Sequence, residues 1–183
     1  MVEKRELVEA ITATNPEDER ELSFRREMLE LASSEGDPTS RDHFAPGHFT
    51  ASGFVLSPDG TSMLLIHHGK LNRWLQPGGH IDPEDRSIFE AIRRELREET
   101  GVTELELVGG GLFDLDVHVI PARKGDPDHK HFDLRALFRA STLEIAAGSD
   151  AVAAKWVPLE EVSQLESDES VMRAVAKLLA GAS

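Results

Sequence analysis

The chain of 183 residues contains no cysteine. Disulfide bridges, zinc sites with cysteine ligands and thiol catalysis are therefore excluded. Basic residues are also scarce, since 20 lysines and arginines stand against 34 acidic residues and leave a net charge of −14. A protein that coats nucleic acid or docks on anionic lipid needs a basic face, so neither partner is expected. An acidic protein that binds phosphate needs a metal ion or a local basic pocket.

Long apolar runs are absent as well. No stretch approaches the roughly 18 residues that a membrane-spanning helix requires, and residues 1–6 are mostly charged, unlike a secretion signal. We therefore expect a soluble, cytoplasmic protein without a membrane partner. With 39% hydrophobic residues, the chain has the length and composition of one packed domain with a helical appendage.

The first 45 residues are predicted to form a helical extension. Two amphipathic helices precede residue 35, and Asn15 with Pro16 is the expected start of the second. Residues 34–46 contain Gly, Pro, Asp and Ser and are interpreted as a linker. Short amphipathic helices need a surface to cover their apolar sides, so they pack on the core or on a partner subunit. A homodimer is therefore one arrangement to consider.

Residues 46–183 are predicted to form the main domain. Strands are expected at 49–56, 63–67, 112–120 and 131–139, and helices between Ser87 and Thr100 and at 168–180. Strands alternate with helices, but the hairpins indicate a mixed rather than a purely parallel sheet. The sequence therefore predicts an α/β fold with an N-terminal helical extension.

The helix after Ser87 carries the most informative pattern. Ser87 and Glu90 form a capping box at its start, and Gly101 stands where a left-handed C-terminal cap is expected. Glu95, Glu98 and Glu99 follow the spacing i, i+3, i+4, so their carboxylates lie close together and repel one another. One interpretation is a solvated acidic face with ordinary ion pairs. The other is a site for a hard divalent cation, since Mg²⁺ takes carboxylate oxygens together with substrate phosphates.

Residues 79–102 resemble the Nudix box. Its pattern is matched by Gly79, by Arg94-Glu95-Leu96, by Glu98-Glu99 and by Gly101-Val102, and the preceding residues 74–78 are similar to the family's approach strand. Two features depart from the pattern: Asp85 replaces its first glutamate, and one extra residue lies between Asp85 and Arg94. The helical block itself has no gap, so the insertion belongs to the loop before Ser87.

The resemblance implies an α/β/α sandwich around a mixed sheet. It also implies metal-dependent hydrolysis of a diphosphate linkage in a nucleoside diphosphate derivative, with Mg²⁺ or Mn²⁺ as cofactor. Glu98 and Glu99 would hold the metal, and Glu95 would bind a metal or orient the attacking water. The carbonyl group of Gly79 would add a ligand, and Arg94 would pair with the carboxylates. The sequence does not distinguish among five substrate classes: nucleoside triphosphates, nucleotide sugars, ADP-ribose, dinucleoside polyphosphates and non-nucleotide diphosphates.

The predicted strands at 112–120 and 131–139 each alternate apolar and polar residues. The polar positions include His118, His131 and Arg135 with nearby aspartates, and they form either a cross-strand ion-pair ladder or part of the substrate pocket. As substrate residues, Arg135 would grip a phosphate oxygen and the two histidines would line the pocket. Three imidazoles here, those of His118, His129 and His131, also suit zinc, although their spacing does not establish a convergent site.

The general base is not fixed by a motif. The resemblance implies an acidic residue in a loop before the last core strand, so Asp150, ahead of Trp156, is a candidate beside Glu95, and Glu144 and Glu160 match less well. Two rival functions are a non-catalytic Nudix-like module that senses a nucleotide and a scaffold protein that acts through its N-terminal helices. Because all three helix carboxylates are present, the sequence favours the hydrolase.

Overall fold

The computed structural model describes residues 1–123, 125–146 and 151–181, and only the backbone of Ala151 and Val152. In this part of the chain the helices are α1 (Lys4–Ala13), α2 (Glu19–Ala32), α3 (Ile88–Thr100) and α4 (Glu169–Gly181), with a 3-10 helix at Leu159–Gln164. The strands are β1 (Gly47–Leu56), β2 (Ser62–His68), β3 (Arg73–Leu75), β4 (Gly78–His80), β5 (Leu105–Ile120), β6 (His129–Ala140) and β7 (Ala151–Pro158).

The described strands form one seven-stranded sheet. Its main path runs β3-β2-β1-β6-β5, while β4 pairs with β1 and β7 pairs with β2. Strand β2 runs antiparallel to β1, β3 and β7. A mixed open sheet with flanking helices confirms the predicted α/β class and its N-terminal helical region. Among the described helices, none has both the length and the apolar character needed to cross a membrane.

The fold divides into two compact units, and the first contains residues 1–52, 79–92 and 109–136. Its buried apolar side chains come from α1, α2 and the strands, among them Leu7, Ile11, Met28, Phe49, Leu115, Phe132 and Leu134. The N-terminal helices therefore share a core with β5 and β6. The buried Glu21 of α2 accepts a hydrogen bond from the amide of Leu115 (3.3 Å), and Lys130 of β6 pairs with Glu27 (2.7 Å).

The start of α2 differs from the prediction. Asn15 was expected to cap this helix, but the cap is Asp18, whose side chain accepts a hydrogen bond from the amide of Glu21 at 2.7 Å. Both residue types make good caps. Asp18 is the cap because the turn just before the helix is closed by a second hydrogen bond. In that bond the amide of Glu17 donates to the carboxylate of Glu21.

Strand β1 begins at a glycine for a steric reason. Gly47 has a φ of +154°, and a Cβ at this position would lie only 1.8 Å from the carbonyl oxygen of Lys130 in β6. The amide of Lys130 in turn donates to the carbonyl of Pro46 at 2.9 Å. The two backbones are therefore in direct contact where β1 and β6 meet.

The second unit contains residues 53–78, 93–108 and 137–183. Its buried apolar residues come from β2, from the later turns of α3, from the end of β6 and from α4, among them Met63, Leu64, Leu65, Leu96, Phe138, Val171 and Val175. The helix predicted at 168–180 is confirmed as α4, and Asp168 caps it by accepting the amide of Val171 at 2.9 Å. The ammonium of Lys155 lies over the ring of Trp74, 4.1 Å from its centroid.

Candidate active site

Helix α3 is defined at both ends by the residues that the sequence indicated. The amide of Glu90 donates to the hydroxyl of Ser87 (3.0 Å), and the Glu90 carboxylate accepts from the amide of Arg86 (2.9 Å). At the other end Gly101 has a φ of +71°, the left-handed conformation of a helix cap. The predicted helix is confirmed.

A residue from the N-terminal extension completes the start of α3. The amide of Ile88, the first residue of the helix, donates to the carboxylate of Glu6 in α1 at 2.8 Å. A helix start has amides without intrahelical partners and a partial positive charge, and a carboxylate satisfies both. This contact was not predicted from the sequence, since nothing local to Glu6 indicates a partner so far along the chain.

The three carboxylates of the later turns of α3 are each fixed by a partner. The guanidinium of Arg94 pairs with Glu95 at 2.8 Å and with Glu98 at 3.3 Å. The carboxylate of Glu99 accepts a hydrogen bond from the amide of Gly78 at 2.8 Å. Glu98 is 53% exposed, whereas Arg94 and Glu95 are largely buried. The pairing of Arg94 with the carboxylates is as expected.

This carboxylate cluster, Glu95, Glu98 and Glu99, matches the chemistry of a hard divalent cation. Glu95 and Glu98 share the guanidinium of Arg94, and a divalent cation would offset the repulsion among carboxylates at this helical spacing. Its donors are oxygen atoms, which Mg²⁺ and Mn²⁺ prefer over nitrogen or sulfur. Gly79, the fourth predicted ligand, follows directly on Gly78 in the chain and lies in β4.

Asp85, which replaces the first glutamate of the box, organises its own loop. It is almost fully buried, and its carboxylate accepts the amide of Asp82 at 2.8 Å while its own amide donates to the Asp82 carbonyl at 3.0 Å. These reciprocal bonds close the turn between β4 and α3. The extra residue is therefore accommodated in a tight loop, as the sequence predicted.

The polar positions of β5 and β6 form a buried ion cluster. Arg135 is 1% exposed, and its guanidinium contacts Asp133 (2.7 Å), Asp114 (3.4 Å) and Asp116 (3.4 Å). Burial by itself lowers the pKa of Arg135, but the attraction of the three carboxylates outweighs burial and raises it. Of the two interpretations of this face, the arrangement matches the cross-strand ion-pair ladder. A guanidinium so enclosed does not fit the expected grip on a substrate phosphate.

The ladder is anchored on the neighbouring strand. Asp133 accepts hydrogen bonds from the hydroxyls of Thr50 (3.0 Å) and Ser52 (2.7 Å), both on β1. Both hydroxyls are buried. Buried charges are tolerated when each is paired and hydrogen-bonded, and Asp133 meets both conditions.

The two predicted substrate histidines lie in different surroundings. His118 is partly exposed, and its Nδ1 lies 3.0 Å from the carboxylate of Asp116. His131 lies against other imidazoles, with ring centroids 5.6 Å from His118 and 4.8 Å from His48. Burial, followed by the charges of the neighbouring histidines, lowers the pKa of His131 to about 2. His131 is therefore uncharged at neutral pH.

The candidate general bases are only partly covered by the structure. Asp150 lies outside the described residues. Glu144 and Glu160 are both exposed, and the amide of Glu144 donates to the hydroxyl of Thr142 at 3.3 Å. Glu95 lies in the carboxylate cluster, and Asp150 stays a prediction.

Comparison with known proteins agrees with this geometry. Residues 46–179 match the family model described as NUDIX domain. A Mus musculus protein named bis(5′-nucleosyl)-tetraphosphatase (asymmetrical) is 32% identical over 105 residues, 56% of this chain and 67% of the mouse protein. An RNA pyrophosphohydrolase of Caulobacter vibrioides is 43% identical over 74 residues, which cover 39% of this chain and 41% of that protein.

A solved structure supports the same fold. A hydrolase of the NUDIX family from Clostridium perfringens superposes with a TM-score of 0.54 at 24% identity, over 72% of this chain and 95% of that chain. The family match begins one residue after the predicted end of the helical extension. From the family match and the named relatives, the chain is a member of the Nudix family and a pyrophosphohydrolase.

Proposed function

We propose that this protein hydrolyses a diphosphate linkage in a nucleoside diphosphate derivative and that it requires Mg²⁺ or Mn²⁺. The observation that carries the proposal is the carboxylate cluster on α3, with Arg94 bridging Glu95 and Glu98 and with Glu99 held by the amide of Gly78. In this proposal Glu95, Glu98 and Glu99 hold the cation. The Gly79 carbonyl is a further ligand.

Each residue of the cluster has a distinct task. A divalent cation held by these carboxylates would offset the charge of the phosphate oxygens and would make a water bound to it more acidic. Glu98 is the most exposed of the three and is open to approach from solvent. Glu99 is oriented by the backbone amide of Gly78, so its position does not depend on a mobile side chain. Glu95 orients or deprotonates the attacking water, as a general base does.

Arg94 acts on the carboxylates rather than on the substrate. Its guanidinium lies one residue from Glu95 and one helical turn from Glu98, so it reduces the repulsion that this spacing creates. Of the predicted substrate residues, His118 and His131 stay in the proposal as contacts. Arg135 acts indirectly, from within the ion cluster. It pairs with Asp116, and the carboxylate of Asp116 also contacts His118.

The first substrate class to test is the dinucleoside tetraphosphates. The mouse relative is named for its action on a bis(5′-nucleosyl) tetraphosphate. The Caulobacter relative is named for RNA, which makes 5′-triphosphorylated RNA the second class. The net charge of −14 disfavours a long polyanion, so we expect the small nucleotide to be the better substrate.

The test measures hydrolysis of both substrate classes by the full chain with and without Mg²⁺. Glu99→Gln keeps an oxygen that accepts the Gly78 amide but removes the charge, and it should lower kcat by roughly a hundredfold or more. Glu30→Gln, an exposed position on α2, is the matched control and should leave kcat unchanged. Turnover that survives removal of Mg²⁺ and Mn²⁺, or is unaltered in Glu99→Gln, contradicts the proposal. Nucleotide binding without turnover in the unmodified protein favours the sensing module instead.

A further inference from the structure

Three histidines from separate strands converge in the first unit. His48 of β1, His80 of β4 and His131 of β6, called here the histidine trio, each offer a ring nitrogen, and these three atoms lie within 4.8 Å of one another. Their ring centroids are 4.8–5.4 Å apart. The trio thus joins residues that are far apart in the sequence.

The chemistry of imidazole suits this arrangement. An imidazole ligates a metal through a ring nitrogen that carries a lone pair, and each histidine of the trio has one such atom among the three converging nitrogens.

The orientation of His48 identifies the nitrogen that is available. Its Nδ1 lies 3.3 Å from the carbonyl oxygen of His43, a contact that places the proton on Nδ1 and the lone pair on Nε2. His48 is 1% exposed, and its Nε2 is buried with no hydrogen-bond partner among the described residues. A buried polar atom left unsatisfied is costly. A backbone carbonyl on the far nitrogen is also the usual support of a metal-binding histidine.

Packing alone accounts poorly for this arrangement. His129 stacks on His48 with centroids 5.1 Å apart, which is a normal ring contact. Stacking does not explain why three donor nitrogens point to one place or why a buried one is unsatisfied. A bound cation explains both, because it accepts the lone pairs and draws the three rings together.

The donor atoms select the class of cation. Imidazole nitrogen suits zinc and its neighbours cobalt, nickel and copper, whereas magnesium and calcium prefer oxygen. Two nitrogens bound to tetrahedral zinc at about 2.0–2.1 Å are roughly 3.4 Å apart. The trio therefore has to contract by at most about 1.5 Å to bind zinc, a change that side-chain rotation supplies.

We propose that His48, His80 and His131 form a binding site for one zinc-class divalent cation, chemically separate from the carboxylate cluster. Three protein ligands leave the fourth position of a tetrahedral ion to a water molecule or an anion, as in zinc sites that are open to a ligand. The bound ion ties β1, β4 and β6 together. This inference does not depend on the diphosphate substrate or on the Mg²⁺ requirement.

The test uses the tag-free full chain, titrated with Zn²⁺ in the presence of excess Mg²⁺ that saturates carboxylate sites. We expect one ion per chain, a rise in melting temperature, and visible absorption bands of low-symmetry coordination when Co²⁺ is used. His80→Gln and His131→Gln, at the less buried positions, should each weaken Zn²⁺ binding by roughly a hundredfold. The matched control is His68→Gln on β2, which should bind as the unmodified protein does.

A second control separates the two proposed ion sites. Glu99→Gln, for which a strongly lowered kcat is expected, should bind Zn²⁺ with unchanged affinity. The inference is overturned if the unmodified protein shows no saturable Zn²⁺ binding, or if His80→Gln and His131→Gln bind as tightly as it does. Loss of binding in His68→Gln or in Glu99→Gln overturns it equally, because the ion would then lie elsewhere.

Discussion

Replacing Arg135 with lysine distinguishes a structural role for this residue from a substrate contact. The guanidinium spreads its positive charge over Asp133, Asp114 and Asp116, which it contacts through three different nitrogens. Lysine has a single ammonium group, and it cannot reproduce this planar three-way contact. The charge is retained in Arg135→Lys, but at least one aspartate loses its partner inside the protein.

The size of the effect follows from the burial of the cluster. A hydrogen bond between charged groups contributes about 1.5–3 kcal/mol, so Arg135→Lys should lower the free energy of unfolding by about 2–3 kcal/mol. For a protein of this length each kcal/mol corresponds to about 2–4 °C, so Tm should fall by about 4–12 °C. Arg135→Met leaves three buried carboxylates without their cation and should cost about 3–5 kcal/mol or more.

The assay combines thermal unfolding with steady-state kinetics on the best diphosphate substrate. The matched control is Arg139→Lys, an exposed arginine on the same strand, which should change stability by less than about 0.5 kcal/mol. The expected result is a lower Tm for Arg135→Lys with KM unchanged at a temperature where the variant is folded. An unchanged Tm with a raised KM would refute the structural interpretation. It would indicate instead that Arg135 contacts the substrate.

Two further predictions concern the helix that carries the carboxylate cluster. Glu6→Ala removes the acceptor of the first amide of α3 and should lower the free energy of unfolding by about 0.5–2 kcal/mol, measured by urea denaturation. Asp85→Asn keeps an oxygen that accepts the Asp82 amide, so its loss of kcat should be much smaller than that of Glu95→Gln, for which we expect roughly a hundredfold or more.

Each of these predictions has its own control. Glu9→Ala removes an exposed glutamate of the same helix as Glu6, three residues further on, and should leave stability unchanged. Equal effects of Glu6→Ala and Glu9→Ala would mean that the hydrogen bond to Ile88 contributes nothing. Equal losses of kcat in Asp85→Asn and Glu95→Gln would show that the charge of Asp85, and not only its loop contact, is needed for hydrolysis.

Features encoded by neighbouring residues could be predicted from the sequence. The ends of α3 depend on Ser87, Glu90 and Gly101, which act within one turn of the helix, and all were identified correctly. Strand β5 was predicted only from residue 112, although it begins at Leu105. Three consecutive glycines interrupt its alternation, and Gly109 and Gly110 have positive φ values that few other residues adopt.

Features that depend on tertiary contacts could not be predicted. The alternation in β6 indicates that Asp133 and Arg135 share a face, but not that this face is buried, since Leu134 on the opposite face is buried too. His48 and His80 were not singled out because their relation to His131 exists only in the folded sheet. Strand register and helix docking decide such contacts, and no local pattern encodes them.

The close approach of Gly47 to Lys130 limits how this sequence can diverge during evolution. A methyl group at position 47 would occupy the space of the Lys130 carbonyl oxygen, so any other residue must push the two strands apart. The next residues along each strand, His48 and His131, would move apart with them. The distance between the imidazoles of His48 and His131 therefore depends on Gly47, a residue that has no side chain.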